Sequence, residues 1–374
     1  MRVFLSAFLL SALITLPVLI PQSFSMADQN KPKIPVRGIW LTNVASKALN
    51  SRKNIREAVK LCSESGINTI YVVTWNNGRT LYPSKIMQQQ FGIPIMEKFI
   101  GRDPLQEVIE EAHAKNIRIH AWFEFGFSCS YNENGGLILK KYPAWAALNN
   151  TGNLVKKNGF EWMNAFNPEV QDFITGLIKE IVIHYDIDGI QGDDRLPAVP
   201  SESGYDAFTV KLYQQQHSGL NPPFDYKNPD WIEWRASLLT QYLGTLTKDL
   251  KSIKPNLIIS MAPSIHPWGK EEYLQDWPTW LAKGYIDYVI PQVYRYSFDE
   301  YRECLTQQVQ LLKESEKSKF FSGILLQVDN QGPSDGLLDS MVMENRRQGI
   351  KGECFFFYEG LKKHPEYFSK YSKE

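Results

Sequence analysis

Short apolar segments alternate with longer amphipathic segments along most of the chain. Eight of the apolar segments have the length and the β-branched and aromatic residues of strands, whereas the segments between them repeat apolar residues with a helical period. The predicted strands cover residues 36–43, 68–75, 117–125, 187–192, 256–263, 286–294, 320–328 and 352–358. Because these strands are apolar on both faces, we expect a parallel sheet covered on both sides. The pattern therefore predicts an α/β fold, a (β/α)8 TIM-like barrel.

Residues that favour helix termini support the same alternation. Ser51 precedes a predicted helix over 52–65, and Pro104 takes the first position of the next one. The remaining predicted helices cover 168–185, 230–253, 271–283, 298–315 and 335–348. An open, doubly wound sheet is the alternative architecture. That fold usually has a Gly-rich loop after its first strand, but here the strand ends in Thr42-Asn43-Val44-Ala45, which favours the barrel.

Two connections are unusually long. Residues 126–167 follow strand three without a clear period, and residues 196–229 follow strand four with short helical pieces near 205–217. Connections of this length are uncommon in compact domains and usually functional. We therefore expect both loops to contribute to a binding cleft.

The N-terminus has the pattern of a secretory signal peptide. A basic start is followed by an apolar run over 3–20 and by small residues at Ser23 and Ser25. We predict a signal peptide over 1–25, a polar linker over 26–35, the barrel over 36–362 and a C-terminal tail over 363–374. The alternative is a retained anchor, because the apolar run is nearly long enough to span a bilayer. The prediction is an exported protein, periplasmic or extracellular, with no membrane contact beyond the signal segment.

Composition narrows the possible partners. Lys plus Arg and Asp plus Glu each number 41, and this balance disfavours nucleic acid or anionic lipid as a partner. The four Cys residues show no metal-binding spacing, so no metal is expected, and no cofactor is required either. Most of the Cys residues are expected to be buried and free because they fall in helix and strand patterns, with a bridge in an oxidising compartment as the alternative. Aromatic residues make up 13% of the chain, and their faces suit either sugar rings or a large core. A monomer that binds a polysaccharide or an oligosaccharide is the expectation.

The barrel would bring the ends of its strands to one rim, where such folds carry their chemistry. Asp193 and Asp194 follow strand four, and neighbouring carboxylates can raise each other's pKa. Glu124 ends strand three and Glu359 follows strand eight. Aromatic, amide and cationic side chains complete the predicted rim and are candidates for substrate binding: Trp40, Asn43, Trp75, Asn76, Trp122, Gln191, Arg195, Gln292, Tyr294, Arg295 and Gln327. This composition is typical of a carbohydrate cleft.

Each candidate also has a structural interpretation. The Asp pair could cap a loop or bind Arg195, and the three Trp residues could be barrel core. Glu124 could pair with Arg118 or His120, and Glu359 could cap a C-terminal helix.

Six segments together resemble a known family. They are RGIWLT at 37–42, AWFEFGF at 121–127, NPEVQ at 167–171, DGIQGDD at 188–194, LQDW at 274–277 and QVYR at 292–295. The chain resembles glycosyl-hydrolase-like family 10, especially its cyanobacterial-type members, over about residues 35 to 360. The resemblance implies a TIM-like barrel and a glycoside hydrolase, with some relatives acting on peptidoglycan glycan strands. Relatives usually carry an aromatic residue at position 192 and His at position 195, where this chain has Gly192 and Arg195.

The predicted roles follow from these positions. Gln191, Asp193 and Arg195 share one face of a regular strand, and the spacing from Gly189 to Asp193 is similar to the nucleophile motif of the alpha-amylase family, so Asp193 ranks above Asp194. Arg195 is expected to lower the pKa of an adjacent Asp and keep it ionised as nucleophile or stabiliser. The predicted acid/base is Glu359 or, second, Glu124.

The sequence thus predicts an exported glycoside hydrolase with a two-carboxylate mechanism. The first alternative is a catalytically inactive carbohydrate-binding barrel, since a fold does not fix a function. A metal-dependent, deacetylase-like enzyme is a third hypothesis, which the absence of a His cluster in the sequence disfavours.

Overall fold

Eight parallel strands form the centre of the protein. The computed structural model describes residues 35–328 and 331–373; the predicted signal peptide and nearly all of the predicted linker lie outside these residues. The barrel strands are β1 Arg37–Leu41, β2 Thr69–Val73, β3 Arg118–Phe123, β4 Gly189–Gly192, β5 Ile258–Met261, β6 Tyr288–Val289, β7 Ser322–Leu325 and β8 Glu353–Phe356.

The strands are arranged in the order β6-β5-β4-β3-β2-β1-β8-β7, and every neighbouring pair is parallel. The two edge strands meet through parallel bridges between Val289 and Phe320 and between Gln292 and Gly323. The sheet therefore curls round on itself, and the predicted (β/α)8 TIM-like barrel is confirmed.

The strands are apolar because both of their faces are covered. All five residues of β2 are buried, between the barrel interior on one side and helices on the other. The interior also contains a polar layer, in which the Tyr71 hydroxyl bonds the Tyr288 hydroxyl at 2.8 Å and the Tyr288 hydroxyl lies 3.4 Å from Nε2 of His120. Burial lowers the pKa of His120 to about 3, so this imidazole stays neutral in the core.

Helices with polar caps connect the strands. Ser51 accepts a hydrogen bond from the amide of Asn54, and Asn167 accepts one from the amide of Glu169, so each side chain satisfies a free donor at a helix start. The helices are α1 Arg52–Glu64, α2 Lys85–Phe91, α3 Pro104–His113, α4 Gly136–Lys141, α5 Pro168–His184, α6 Ala207–Gln216, α7 Pro229–Ile253, α8 Trp268–Tyr273, α9 Trp277–Ala282, α10 Phe298–Val309, α11 Asp335–Arg347 and α12 Pro365–Tyr371.

The structure differs from the sequence prediction in three connections. Helix α2 is additional, and the single helix predicted over 271–283 is two short helices, α8 and α9. They are separated because Leu274 has a left-handed backbone with a φ of 61°. The long connection after β3 is folded: Ser128–Tyr131, Lys156–Lys157 and Phe160–Trp162 form a small antiparallel sheet beside α4. This wall of the barrel mouth is called the β3 subsheet below.

The predicted C-terminal tail is part of the barrel. Helix α12 buries Tyr367, Phe368 and Tyr371, and the hydroxyl of Tyr371 donates to the buried carboxylate of Glu353. The residues after the predicted boundary at 362 therefore pack against the barrel, because aromatic residues at helical spacing cover one end of the sheet. All four Cys residues are buried and free, as predicted. Among the described residues, no helix combines the length and apolar character needed to cross a bilayer.

Candidate active site

The ends of β3 and β4 bring the main candidates together. Phe123 and Gly192 are partners in the parallel ladder, and Glu124 and Asp193 are the next residues of the two strands. Because parallel strands leave a sheet side by side, the carboxyl groups of Glu124 and Asp193 emerge next to each other at the C-terminal rim.

Gly192 is required by the tight turn that follows β4. A Cβ atom at this position would lie 2.3 Å from the carbonyl oxygen of Leu196 and 2.4 Å from Sδ of Met261. The turn is closed by a 3.1 Å hydrogen bond from the Leu196 amide to the Asp193 carbonyl. The chain therefore folds back directly over the end of β4 at this position.

Asp193 is held by three different parts of the rim. The residue is 4% exposed; Oδ1 accepts from Nε2 of Gln292 at 2.8 Å, and Oδ2 accepts from Nη2 of Arg195 at 3.2 Å. Its main-chain carbonyl accepts from Nε2 of Gln275 at 3.0 Å. These contacts fix the direction of the carboxyl group.

Arg195 is the cation at the centre of the site. Its Nη1 lies 2.8 Å from Oδ1 of Asp194, and its Nε donates to the carbonyl oxygen of Glu124 at 2.8 Å. The guanidinium also lies 4.4 Å from the ring centroid of Phe160 in the β3 subsheet. The predicted contact of Arg195 with the Asp pair is present, and Glu124, Asp193, Asp194 and Arg195 are called the carboxyl cluster below.

Arg195 acts on the pKa values of the Asp pair in the expected direction and lowers them, but it does not set the net shift. Burial raises the pKa of Asp193 well above its usual value, the charge of Asp194 raises it further, and Arg195 only opposes this shift. Burial also raises the pKa of Asp194, again against Arg195. The physical reason is that one guanidinium cannot compensate three carboxyl groups removed from water together.

Glu124 contacts Asn76, not Arg118 or His120. Nδ2 of Asn76 donates to Oε2 of Glu124 at 2.6 Å, and Asn76 is placed by a short hairpin, Trp75–Asn76 with Arg79–Thr80. Burial raises the pKa of Glu124, while Arg195 and the Asn76 bond oppose that rise. Glu124 is thus a partly buried carboxyl group that holds its proton to a higher pH than an exposed Glu does.

Glu359 lies in a 3₁₀ turn after β8, Tyr358–Lys363, and has other partners. Oε1 accepts from the Ser46 hydroxyl at 2.8 Å, and Oε2 forms an ion pair with Nζ of Lys362 at 2.9 Å. Among the contacts of the described residues, none joins Glu359 to the carboxyl cluster. The geometry therefore favours Glu124 over Glu359 as the partner of Asp193.

The three predicted Trp platforms are buried. Trp40, Trp75 and Trp122 are at most 1% exposed, which favours their alternative role as core residues. The indole of Trp40 donates to Oε1 of the buried Gln191 at 2.7 Å, and that of Trp75 donates to the Gly126 carbonyl at 3.0 Å. These residues support the floor of the site without offering a free ring face.

The remaining candidates lie around the rim. Tyr294 stacks on Phe356 with ring centroids 5.3 Å apart, and burial together with Asp193 raises its pKa. Arg295 donates to the Tyr294 carbonyl at 2.6 Å, Asn43 contacts Sδ of Met96 at 3.7 Å, and Gln327 is 8% exposed.

The sequence prediction missed two residues of the site. Gln275 is fully buried and links the Ser264 amide to the Asp193 carbonyl; its signal was an amide inside the LQDW segment. Tyr273 accepts from Nδ2 of Asn158 at 3.0 Å, and burial, followed by the charge of Asp194, raises its pKa to about 12. No local pattern indicates Tyr273, because its neighbours come from other loops.

The site therefore presents amide groups that can bind hydroxyl groups and two carboxyl groups on adjacent strands that can each donate or accept a proton. Among the described residues, no group of three or more His, Cys, Asp and Glu side chains is arranged to hold a metal ion.

Comparison with solved structures supports the fold. The glycoside hydrolase domain of PgaB (BpsB) from Bordetella bronchiseptica superposes with a TM-score of 0.68 at 12% identity, over 90% of this chain and 98% of that chain. Alpha-L-fucosidase isoenzyme 2 from Paenibacillus thiaminolyticus gives a TM-score of 0.63 at 17% identity, over 91% of this chain and 48% of that chain. The barrel is thus shared with glycoside hydrolase domains.

Similarity in sequence extends to curated proteins and to one family. Glycosyl hydrolase DigH of Escherichia coli (strain K12) is 27% identical over 303 residues, 70% of this chain and 65% of that protein. Glycosyl hydrolase YngK of Bacillus subtilis (strain 168) is 26% identical over 290 residues, 69% of this chain and 54% of that protein. The chain spans less than two thirds of the length of these relatives. Residues 35–331 match the family described as Glycosyl hydrolase-like 10, and the chain therefore belongs to that family.

Proposed function

We propose that the protein is a glycoside hydrolase that cleaves O-glycosidic bonds in a polysaccharide at the carboxyl cluster. The observation that carries the proposal is the pair Glu124 and Asp193, which leave adjacent strands at the C-terminal rim around one guanidinium. Glycoside hydrolysis needs one carboxyl group as acid and a second as base or nucleophile, with environments that separate their protonation states.

The hydrogen bonds favour one distribution of the proton. Both oxygens of Asp193 accept hydrogen bonds from N–H donors, of Gln292 and Arg195, and such bonds stabilise the ionised form. Glu124 accepts one side-chain hydrogen bond, from the neutral amide of Asn76. Burial raises the pKa of both groups, and the charge of Asp194 raises that of Asp193 further, whereas the two N–H donors favour the ionised form of Asp193. On the strength of these donors, we assign the charge to Asp193 and the proton of the general acid to Glu124.

The substrate and the location are part of the proposal. The family membership, the fold shared with glycoside hydrolases and the amide- and aromatic-rich rim support a polysaccharide, with peptidoglycan glycan strands as the first candidate. The apolar segment over 3–20 supports export, which N-terminal sequencing of the secreted protein would test by finding a start after Ser25.

Hydrolysis of a glycan panel tests the function. Wild-type protein is assayed on peptidoglycan glycan strands, chitin, xylan and β-glucan, and Glu124→Gln and Asp193→Asn should each lower the rate at least about 100-fold. Glu359→Gln removes the same kind of carboxylate at another strand end and should keep most activity. A loss of activity in Glu359→Gln, with Glu124→Gln active, would reverse the assignment of the acid.

An inactive carbohydrate-binding barrel is the second candidate, and the engagement of Arg195 with both Asp side chains favours it. A guanidinium that occupies both carboxylates could hold the site in a binding-only state. Wild-type protein that binds a glycan of the panel by calorimetry but hydrolyses none would establish this alternative.

A further inference from the structure

Five exposed aromatic side chains lie in segments between the end of a barrel strand, β3 to β6, and the helix that leads to the next strand. Among the described residues, the most exposed aromatic side chains are 39–74% exposed, and each lies in a connection that follows a barrel strand. They are Tyr131, Phe208, Phe224, Trp268 and Tyr296. Large exposed side chains near the opposite ends of the helices are aliphatic instead, such as Ile253 and Leu311.

Trp268 differs from the others because buried amides fix its loop. Gln308, which is fully buried, accepts from the His266 amide at 2.8 Å and donates to the His266 carbonyl at 2.9 Å. Gly269 donates to the Ile265 carbonyl at 2.7 Å. An indole that is 45% exposed on a fixed loop loses little freedom when a ligand covers it.

Trp268 is also joined to the carboxyl cluster. Its ring centroid lies 5.5 Å from that of Tyr273, and the Tyr273 hydroxyl is bonded to Asn158 of the β3 subsheet. The Tyr273 carbonyl accepts from the Val199 amide at 3.2 Å, in the loop that follows the Asp pair. Gln275, two residues on, holds the carbonyl of Asp193 at 3.0 Å. The residues around Trp268 and the carboxyl cluster are therefore connected by direct contacts between their loops.

Ion-paired side chains lie beside the Tyr273 ring, against which Trp268 packs. Nζ of Lys157 lies 2.6 Å from Oε2 of Glu272 and 3.0 Å from Oε1 of Glu202, and it also lies 4.9 Å from the Tyr273 ring centroid. A ring face beside compensated charges and amides suits a neutral, hydroxyl-rich ligand more than a polyanion.

We propose that Trp268, backed by Tyr273, forms an outer subsite that stacks on a sugar ring of a glycan chain extending from the carboxyl cluster. The inference rests on the proposed function and adds that the substrate is a chain of several sugars. Stacking at this subsite contributes to the binding of a long chain. A short substrate does not reach the subsite, so removing Trp268 should change its kcat/KM little.

Chain-length dependence tests the subsite. A disaccharide and a hexasaccharide are prepared from the best substrate of the panel, and kcat/KM is measured for wild type, Trp268→Ala and Trp268→Phe. Trp268→Ala should lower the hexasaccharide-to-disaccharide ratio of kcat/KM about tenfold, the effect of returning about 60 Å² of apolar surface to water. Trp268→Phe keeps a ring face and should stay within about threefold of wild type.

Leu311→Ala is the matched control, because Leu311 is 41% exposed and lies just after α10. It should leave the ratio unchanged, and melting temperatures check that all variants fold. An unchanged ratio in Trp268→Ala, or equal losses on both substrates, would overturn the subsite. If wild type hydrolyses neither substrate, the proposed function fails, and calorimetric affinity for the hexasaccharide then decides: a tenfold loss in Trp268→Ala supports the subsite and an equal affinity overturns it.

Discussion

At the scale of single residues, the site is governed by removal from water more than by ion pairing. Arg195 contacts Asp193 and Asp194, yet the pKa of each rises because burial outweighs the cation. The same guanidinium donates to the Glu124 carbonyl, so it fixes the relative position of the two strand ends. Arg195 is thus both an electrostatic and a geometric part of the site.

Replacing Arg195 should shift the pH dependence of hydrolysis. In Arg195→Met the carboxyl groups lose their cation, so their pKa values rise and the acidic limb of kcat/KM moves to higher pH by about one unit or more. Arg195→Lys keeps the charge and should move the limb less. Arg195→His should add a dependence near the His pKa of about 6.5. An acidic limb that stays in place in Arg195→Met would show that the ion pair does not control Asp193.

Asp193→Asn should remove activity without a loss of stability at neutral pH. The folded pKa of Asp193 is raised, so its favourable contribution to stability is complete below the unfolded pKa of about 3.9 and is lost as pH rises through the folded pKa. Asn does not ionise, so the variant does not lose this stability as the pH rises. The melting temperature of the variant relative to wild type should therefore increase between pH 4 and pH 7. A large destabilisation at pH 7 would instead support a structural role for the carboxylate.

At the scale of elements, the β3 subsheet is organised around one carboxylate. Glu161 is 2% exposed and accepts from the hydroxyl of Ser130 and from the amides of Glu133, Asn134 and Gly135. Burial opposes ionisation of Glu161, but these hydrogen bonds outweigh it and lower its pKa. The subsheet in turn presents Phe160 to Arg195, so an intact wall supports the carboxyl cluster.

Glu161→Gln should loosen this wall. A neutral amide cannot accept all of these hydrogen bonds. The free energy of unfolding should therefore fall by about 2 kcal/mol at pH 7. Because the folded pKa is lowered, the stabilisation by Glu161 exists above the unfolded pKa of about 4.3 and disappears as pH falls through the folded pKa. Denaturant unfolding at pH 7 and pH 3 measures both effects, together with a rise of KM for polymeric glycan. Equal stability of the two proteins at pH 7 would contradict this role.

At the scale of the whole molecule, the last helix closes the barrel. The hydroxyl of Tyr371 donates a hydrogen bond to the buried Glu353 of β8. The main-chain carbonyl of Tyr371 accepts from Nη1 of Arg37 in β1 at 3.1 Å. Helix α12 therefore ties the C-terminus to the first and last strands of the sheet.

Truncation after Lys363 should destabilise the protein severely. It exposes the apolar surface beneath Tyr367, Phe368 and Tyr371, which is worth several kcal/mol at about 25 cal/mol per Å². It also leaves Glu353 with Arg346 and Asn345 but without its Tyr partner. Deleting only Glu374 is the control. A truncated protein that keeps the wild-type melting temperature would show that this segment does not stabilise the barrel.

The sequence by itself determined the order of strands and helices and placed Glu124 and Asp193 at strand ends. Periodicity, helix caps and the rim of a parallel barrel are local or general rules, so residues near in sequence suffice. Even so, the fold of the 126–167 connection was not visible, because its sheet pairs short segments about 30 residues apart, such as Ser130 and Glu161, whose register is set by a loop.

Tertiary structure alone decided the environment of the candidate site residues. The pKa direction of Asp193 depends on burial and on the charges around it, and its carboxyl group is held by Gln292, which is 99 positions away in the chain. The choice of Glu124 over Glu359 depends on which side chains contact the guanidinium or its neighbours, and the core role of Trp40, Trp75 and Trp122 depends on what covers them. Desolvation and contact are properties of the assembled barrel, and a one-dimensional pattern does not contain them.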